Sequence, residues 1–191
     1  STYNSTFDRV AMHGVRVELV RRQAESAGLP IELIPIPHPC GDDEYAAIME
    51  DFVRRARERG IECFAFGDLL LEDVRRYREE RLAGAGIAPL FPLWGMPTGE
   101  LAREMVRGGL RAVVTCLDPE KVPADLAGHA YDGDFLERLP DGVDPCGENG
   151  EFHTFAFDGP IFGEPVAVSV GETVTREGFV FTDVVGVEDS E

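Results

Sequence analysis

Apolar residues recur at helical spacing from near His13 through Val17, Val20 and Ala24, and Gly28 with Pro30 behind it marks the stop. The Ser/Thr/Asn-rich stretch before it, Ser1 to Met12, reads as an irregular loop. Ile31 to Ile36 reads as an apolar strand. Asp42 or Asp43 then caps a second helix, with Ala46, Ile48, Met49, Phe52, Val53 and Ala56 apolar and Gly60 as its end. Ile61 to Phe66 shows no alternation, as expected of a strand covered on both faces. Gly67-Asp68 closes it, and a third helix runs to about Leu82. Ile87 to Leu93 is a short strand, Thr98 to Val106 a helix, and Arg111 to Leu117 a buried strand leaving through Asp118-Pro119. A short helix falls around Asp132 to Leu139.

Strands alternating with helices predict right-handed crossovers and a Rossmann-like, doubly wound parallel sheet, an α/β class. Ligands on such sheets bind beyond the carboxyl ends of the strands, where Gly67-Asp68 and Asp118 would sit. After Pro140 the period changes. Phe152 to Phe157 alternates, and Pro165 to Arg176 with Phe179 to Val187 reads as a hairpin turning at Arg176-Glu-Gly178. The expected organisation is therefore an α/β domain over residues 1–140 and a small antiparallel β appendage over 141–191, ending in a frayed acidic tail.

Asp+Glu 36 against Lys+Arg 18 gives a formal charge of −18, which repels phosphate backbones and excludes nonspecific nucleic-acid binding. An anionic nucleotide would need local help from Mg²⁺, helix N-termini or a few arginines. Cys40, Cys63, Cys116 and Cys146 form no C-x-x-C pair, and Cys63 and Cys116 read as buried small hydrophobes. No apolar run is long enough to span a bilayer and no signal peptide opens the chain, so the reading is a cytoplasmic protein with no membrane partner. A homo-oligomer is left open.

The densest chemistry lies in Asp144-Pro-Cys-Gly-Glu-Asn-Gly-Glu-Phe-His-Thr-Phe155. Gly147 and Gly150 allow a tight fold that points N–H groups at a ligand, and Glu148 and Glu151 can face one small volume. The alternative is a solvated Gly/Asn turn ahead of a strand. His13-Gly14 stands before a helix, where an imidazole and backbone donors meet an anion or simply form a cap region. Cys146 with His153 is weak as a thiol nucleophile, since no third group orients the histidine. His38-Pro-Cys40 near Asp42 and Asp43 matches no usual zinc spacing. No metal ligand set is assigned.

The string Cys146 to Phe155 resembles the glycine- and glutamate-rich signature of the diphthine–ammonia ligase family, within the adenine nucleotide alpha hydrolase or N-type ATP pyrophosphatase group. Three further pieces agree in order: Asp8 to Arg16, Phe66 to Arg75 and Ala88 to Gly95. The resemblance implies a Rossmann-like nucleotide-binding fold and an ATP-dependent carboxylate–ammonia ligase acting through an acyl-adenylate. It implies ATP and Mg²⁺ as cofactors, and ATP/AMP, ammonium and a carboxylate acceptor, free or carried on a protein, as partners. Glu148 and Glu151 would be catalytic; His13, Gly14, Gly67 and Asp68 would border the nucleotide. Glu72, Asp73, Gly147, Asn149, Gly150 and His153 would meet the substrate, although Glu72 and Asp73 diverge by about 100° on a helix and can equally just favour its dipole.

The family opens with a strand and a Ser-Gly-Gly-Lys-Asp-Ser loop that grips pyrophosphate, and this sequence contains no such loop. The expectation is an N-terminally shortened ligase. The rivals are a non-catalytic adenine-nucleotide-binding or regulatory module and, third, a thiol hydrolase using Cys146. The ligase reading requires that the linker fold back over the strand ends, bringing both glutamates and the Gly67-Asp68 corner to one cavity.

Overall fold

The computed structural model describes residues 1–11 and 13–187; the expected acidic tail lies outside them. Two short parallel pairs and one four-stranded antiparallel sheet replace the single doubly wound sheet. β1 (Thr2–Asn4) pairs with β2 (Ile34–Ile36), so part of the supposed N-terminal loop is a strand hidden by its Ser, Thr and Asn content. β3 (Cys63–Ala65) pairs with β4 (Ala88–Leu90). Between them run α1 (Val17–Ser26), α2 (Asp42–Glu58) and α3 (Glu72–Leu82). Gly41, not an aspartate, is the N-cap of α2, and no side chain caps it; Asp42, Asp43 and Glu44 favour the helix dipole from the first turn instead.

β3 and β4 are covered on one face only. Phe64 and Phe66 pack with Val53 and Ala56 of α2 and Leu82 of α3, whereas Cys63 and Ala65 are exposed. The expectation that Cys63 is buried is thus wrong: an apolar run in a three-residue strand does not reveal whether the second face has a cover.

The larger correction concerns β5 (Arg111–Leu117). Instead of extending a parallel sheet, it lies antiparallel between β6 (Phe152–Asp158) and β8 (Phe179–Gly186), with β7 (Val168–Arg176) outside β8, in the order β6-β5-β8-β7. An unbroken apolar strand signals burial on both faces but says nothing about the direction of its neighbours. Both faces are indeed covered. Ala112, Val114 and Leu117 join Ala102 of α4 (Thr98–Arg107) and Phe135 of α5 (Gly133–Arg138); Val113 meets Leu19 of α1, with Phe155 and Val184. Fully burying Phe135 alone is worth roughly 2–3 kcal/mol.

The helix ends follow from sequence. In α4, Leu101, Ala102, Met105 and Val106 form one apolar stripe, Glu100 and Arg107 complement the dipole, and Gly108-Gly109 stops the helix. Asp132 caps α5 by accepting from Phe135 N at 3.0 Å. The hairpin occurs as expected: Arg176 pairs with Phe179 across Glu177-Gly178, both at positive φ. The hairpin is tied to the N-terminal segment, because Arg9 and Arg16 converge on Asp183 of β8 at 2.8 and 2.7 Å. Hydrogen bonds and charge from both arginines outweigh burial and hold the Asp183 carboxyl down at about 2. Arg16 is therefore engaged as an ion-pair partner. No described helix is long and apolar enough to cross a membrane.

Candidate functional site

Three loops meet at the C-terminal ends of β3, β4 and β5. The first follows β3, the second follows β4, and the third is the Gly/Glu segment before β6. Their meeting point is the backbone of Leu69, which is buried. Glu148 Oε2 accepts from Leu69 N at 3.0 Å, and Gly95 N donates to Leu69 O at 2.8 Å. The Gly/Glu segment thus reaches the Gly67-Asp68 corner through Glu148.

The corner itself is braced from α3. Asp68 accepts from Arg78 Nε and Nη2, and the same guanidinium lies 4.5 Å from the centroid of Phe66. Arg75 sits 4.8 Å from both Phe91 and Trp94, which makes that aromatic run a wall of the second loop. Gly67 is exposed, and so are Glu72 and Asp73, which occupy the first turn of α3 where they favour its dipole.

Glu151 behaves differently from Glu148. It is 3 % exposed and its two oxygens accept from Asp144 N at 3.1 Å, Asn149 N at 2.9 Å and Asn149 Nδ2 at 3.0 Å. Burial favours the neutral acid, but these donors outweigh it and keep the carboxyl below its ordinary value. Glu151 is the internal anchor around which residues 144–151 wrap. Gly147 is needed for that wrap: its φ is +71°, and a Cβ there would lie 2.7 Å from Phe152 O. Of the two glutamates expected to share a cavity, one faces the corner and the other faces its own loop.

Beneath the loop, Cys146 Sγ donates to Thr98 O at 3.4 Å and Tyr131 Oη donates to Pro145 O at 2.7 Å. Burial, then the charges of Asp144 and Glu148, push the Cys146 thiol up to about 11, so it is protonated at neutral pH and unsuited to nucleophilic attack. Among the described residues no hydrogen bond joins His153 to it; the His153 ring packs on that of His13, tilted by 34° with centroids 4.4 Å apart. Burial and the neighbouring His13 lower His153 to about 4; burial also lowers His13, against a backbone hydrogen bond at Thr154. Gly14 turns at φ +65° against Phe181. The expected residues therefore gather as two groups, Gly67-Asp68 with Glu148 and His13-Gly14 with His153.

Sequence reasoning missed Arg78, Tyr131 and Leu69. The first two lie ten and more residues from the parts they brace, and Leu69 acts only through its backbone.

Residues 97–185 match the family of the diphthamide synthase C-terminal domain. This span holds the Gly/Glu segment, β5 and its sheet. Across more of the chain, diphthine–ammonia ligase of Bos taurus is 28% identical over 166 residues, covering 82% of this chain and 61% of the relative. That of Rattus norvegicus is 29% identical, covering 76% and 56%, and that of Danio rerio 28% identical, covering 84% and 69%. The resemblance drawn from the four sequence pieces is borne out. The chain spans about three-fifths of the length of the first two of these relatives.

Proposed function

We propose that this chain carries the acceptor and ammonia side of an ATP-dependent carboxylate–ammonia ligase, acting in the manner that the relatives' name describes. The observation that supports this most directly is the bond from Leu69 N to Glu148 Oε2, which puts a half-buried carboxylate beside the strand-end corner. Glu148 Oε1 has no hydrogen-bond partner among the described residues, so it can hold ammonium or take its proton.

The reaction runs in two balanced steps. An acceptor carboxylate oxygen attacks the α-phosphorus of ATP, the bond to pyrophosphate breaks, and an acyl-adenylate remains. Ammonia then adds to the acyl carbon, AMP leaves, and the nitrogen sheds a proton that Glu148 receives. Glu151 supports this by fixing the loop rather than by touching the reacting atoms. Gly147, Asn149 and Gly150 shape the acceptor's rim and Gly67 and Asp68 border the nucleotide; the separate group of His13 and Gly14 is assigned to the nucleotide and the neutral His153 to the substrate. Glu72 and Asp73 stand at the outer edge of the acceptor path.

Among the described residues, no three His, Cys, Asp or Glu side chains converge as metal donors. Mg²⁺ enters this proposal only as the companion ion of ATP, and no step is routed through it. The setting is the cytoplasm, with a small carboxylate or a protein-borne one as acceptor.

The test is AMP and pyrophosphate formation from ATP, with and without ammonium, across candidate carboxylate acceptors. Ammonium-dependent AMP formation supports the ligase. ATP binding without AMP formation under every condition would make the chain a nucleotide-binding module instead.

A further inference from the structure

Lys121 is the only lysine in the chain; every other strongly basic side chain is arginine. It sits in the turn that ends β5, where Lys121 N and Val122 N both donate to Asp118 O and Glu120 N donates to Asp118 Oδ1. From there its side chain reaches across to the Gly/Glu segment. Lys121 Nζ donates to Asn149 O at 3.1 Å and lies 3.7 Å from Asp118 Oδ2. The same turn is joined to that segment through its backbone, since Asp118 N donates to Glu151 O at 2.9 Å.

Asn149 is held from both sides. Its N–H and side-chain amide point inward to Glu151, and its carbonyl points outward to Lys121. Glu148, the next residue back, is the one that reaches Leu69 N. Asp118, Asp144, Glu148 and Glu151 crowd this small region with carboxylates, and Lys121 is the cation touching the loop from the β5 turn. A compact ammonium on a flexible stem can serve a carbonyl and a carboxylate that do not lie in one plane; a guanidinium fork suits bidentate planar partners.

We infer that Lys121 is a positioning residue: it pins the Asn149 carbonyl and thereby keeps Glu148 on the Leu69 amide. The inference adds a residue to the site proposed above, but its geometric core does not depend on which reaction that site performs.

Amide hydrogen exchange at Leu69 reads the Glu148 contact without any substrate. In Lys121→Met, Leu69 exchange should quicken by about tenfold while the β5 amides Val114 and Thr115 keep their protection. The side chain of Lys121 is 45% exposed, so the substitution does not threaten the core. As a second measurement, acetylating Lys121 in the folded protein, which removes its charge, should give the same local loosening. Unchanged Leu69 protection in both cases overturns the inference, and so does a loss spread equally over β5. A failure to form AMP with any acceptor would overturn the ligase reading and leave this result standing.

Discussion

Glu148 Oε2 and Leu69 N lie 3.0 Å apart, and this bond joins segments seventy-nine positions apart in sequence. Glu148→Gln keeps an oxygen for Leu69 N but loses the charge that holds ammonium or takes its proton. AMP formation with ammonium should fall on the order of 100-fold, with ATP affinity unchanged. Steady-state AMP release together with equilibrium ATP binding checks this, and undiminished turnover would remove Glu148 from the chemistry.

Glu151 is the acceptor for three N–H groups, so Glu151→Ala leaves half-buried donors unmet and empties the site of a buried side chain. A loss of about 2–4 kcal/mol in unfolding free energy is expected, larger than an exposed acid would give. Urea midpoints at constant slope measure it. The same variant should still bind ATP while making no amide; a midpoint equal to the parent's would contradict the anchor role.

The two loop glycines should separate sharply. Gly147→Ala places a methyl 2.7 Å from Phe152 O at φ +71°, whereas a Cβ at Gly150, φ +74°, meets nothing within 4 Å. Gly150→Ala should cost only the strain of a left-handed alanine, about 1 kcal/mol. Gly147→Ala should cost more, about 3 kcal/mol with the clash included. Paired thermal melts decide it, and equal losses would argue against the contact with Phe152.

His153 sets an acid limb. Its folded value of about 4 lies below the ordinary 6.5, so the unfolded chain binds the proton more readily. The contribution of a neutral His153 is fully present above pH 6.5 and is lost as pH falls toward about 4. His153→Phe should flatten that limb in denaturant midpoints taken across the window. A second decline belongs to Asp183, whose contribution is present above its usual range and lost as pH falls through about 2. Because its arginine partners are partly exposed, Asp183→Asn should cost only about 1 kcal/mol at neutral pH.

The helices, the turn glycines and the final hairpin were legible because each is written in local spacing. Val17, Val20 and Ala24 declare α1, and Glu177-Gly178 declares its turn. Sheet topology was not legible. Ala112 to Leu117 is equally apolar whether its neighbours run with it or against it, and Thr2–Asn4 carries too little hydrophobicity to announce a strand. At the site, sequence named the Gly/Glu segment but not the inward turn of Glu151, because which carboxylate faces outward depends on where Asn149 and Asp144 present their N–H groups. Lys121 carried a compositional signal, its uniqueness, that spacing rules do not weigh.

The placement of β5 between β6 and β8 has a kinetic consequence. Leu117 meets both Phe152 and Val180, so the sheet closes only when distant stretches have been synthesised and brought together. Such long-range closure is slow compared with helix formation. The loop that presents Glu148 hangs from the start of β6, so its shape depends on the pairing of Phe152 with Leu117 of β5 and not on a local turn alone.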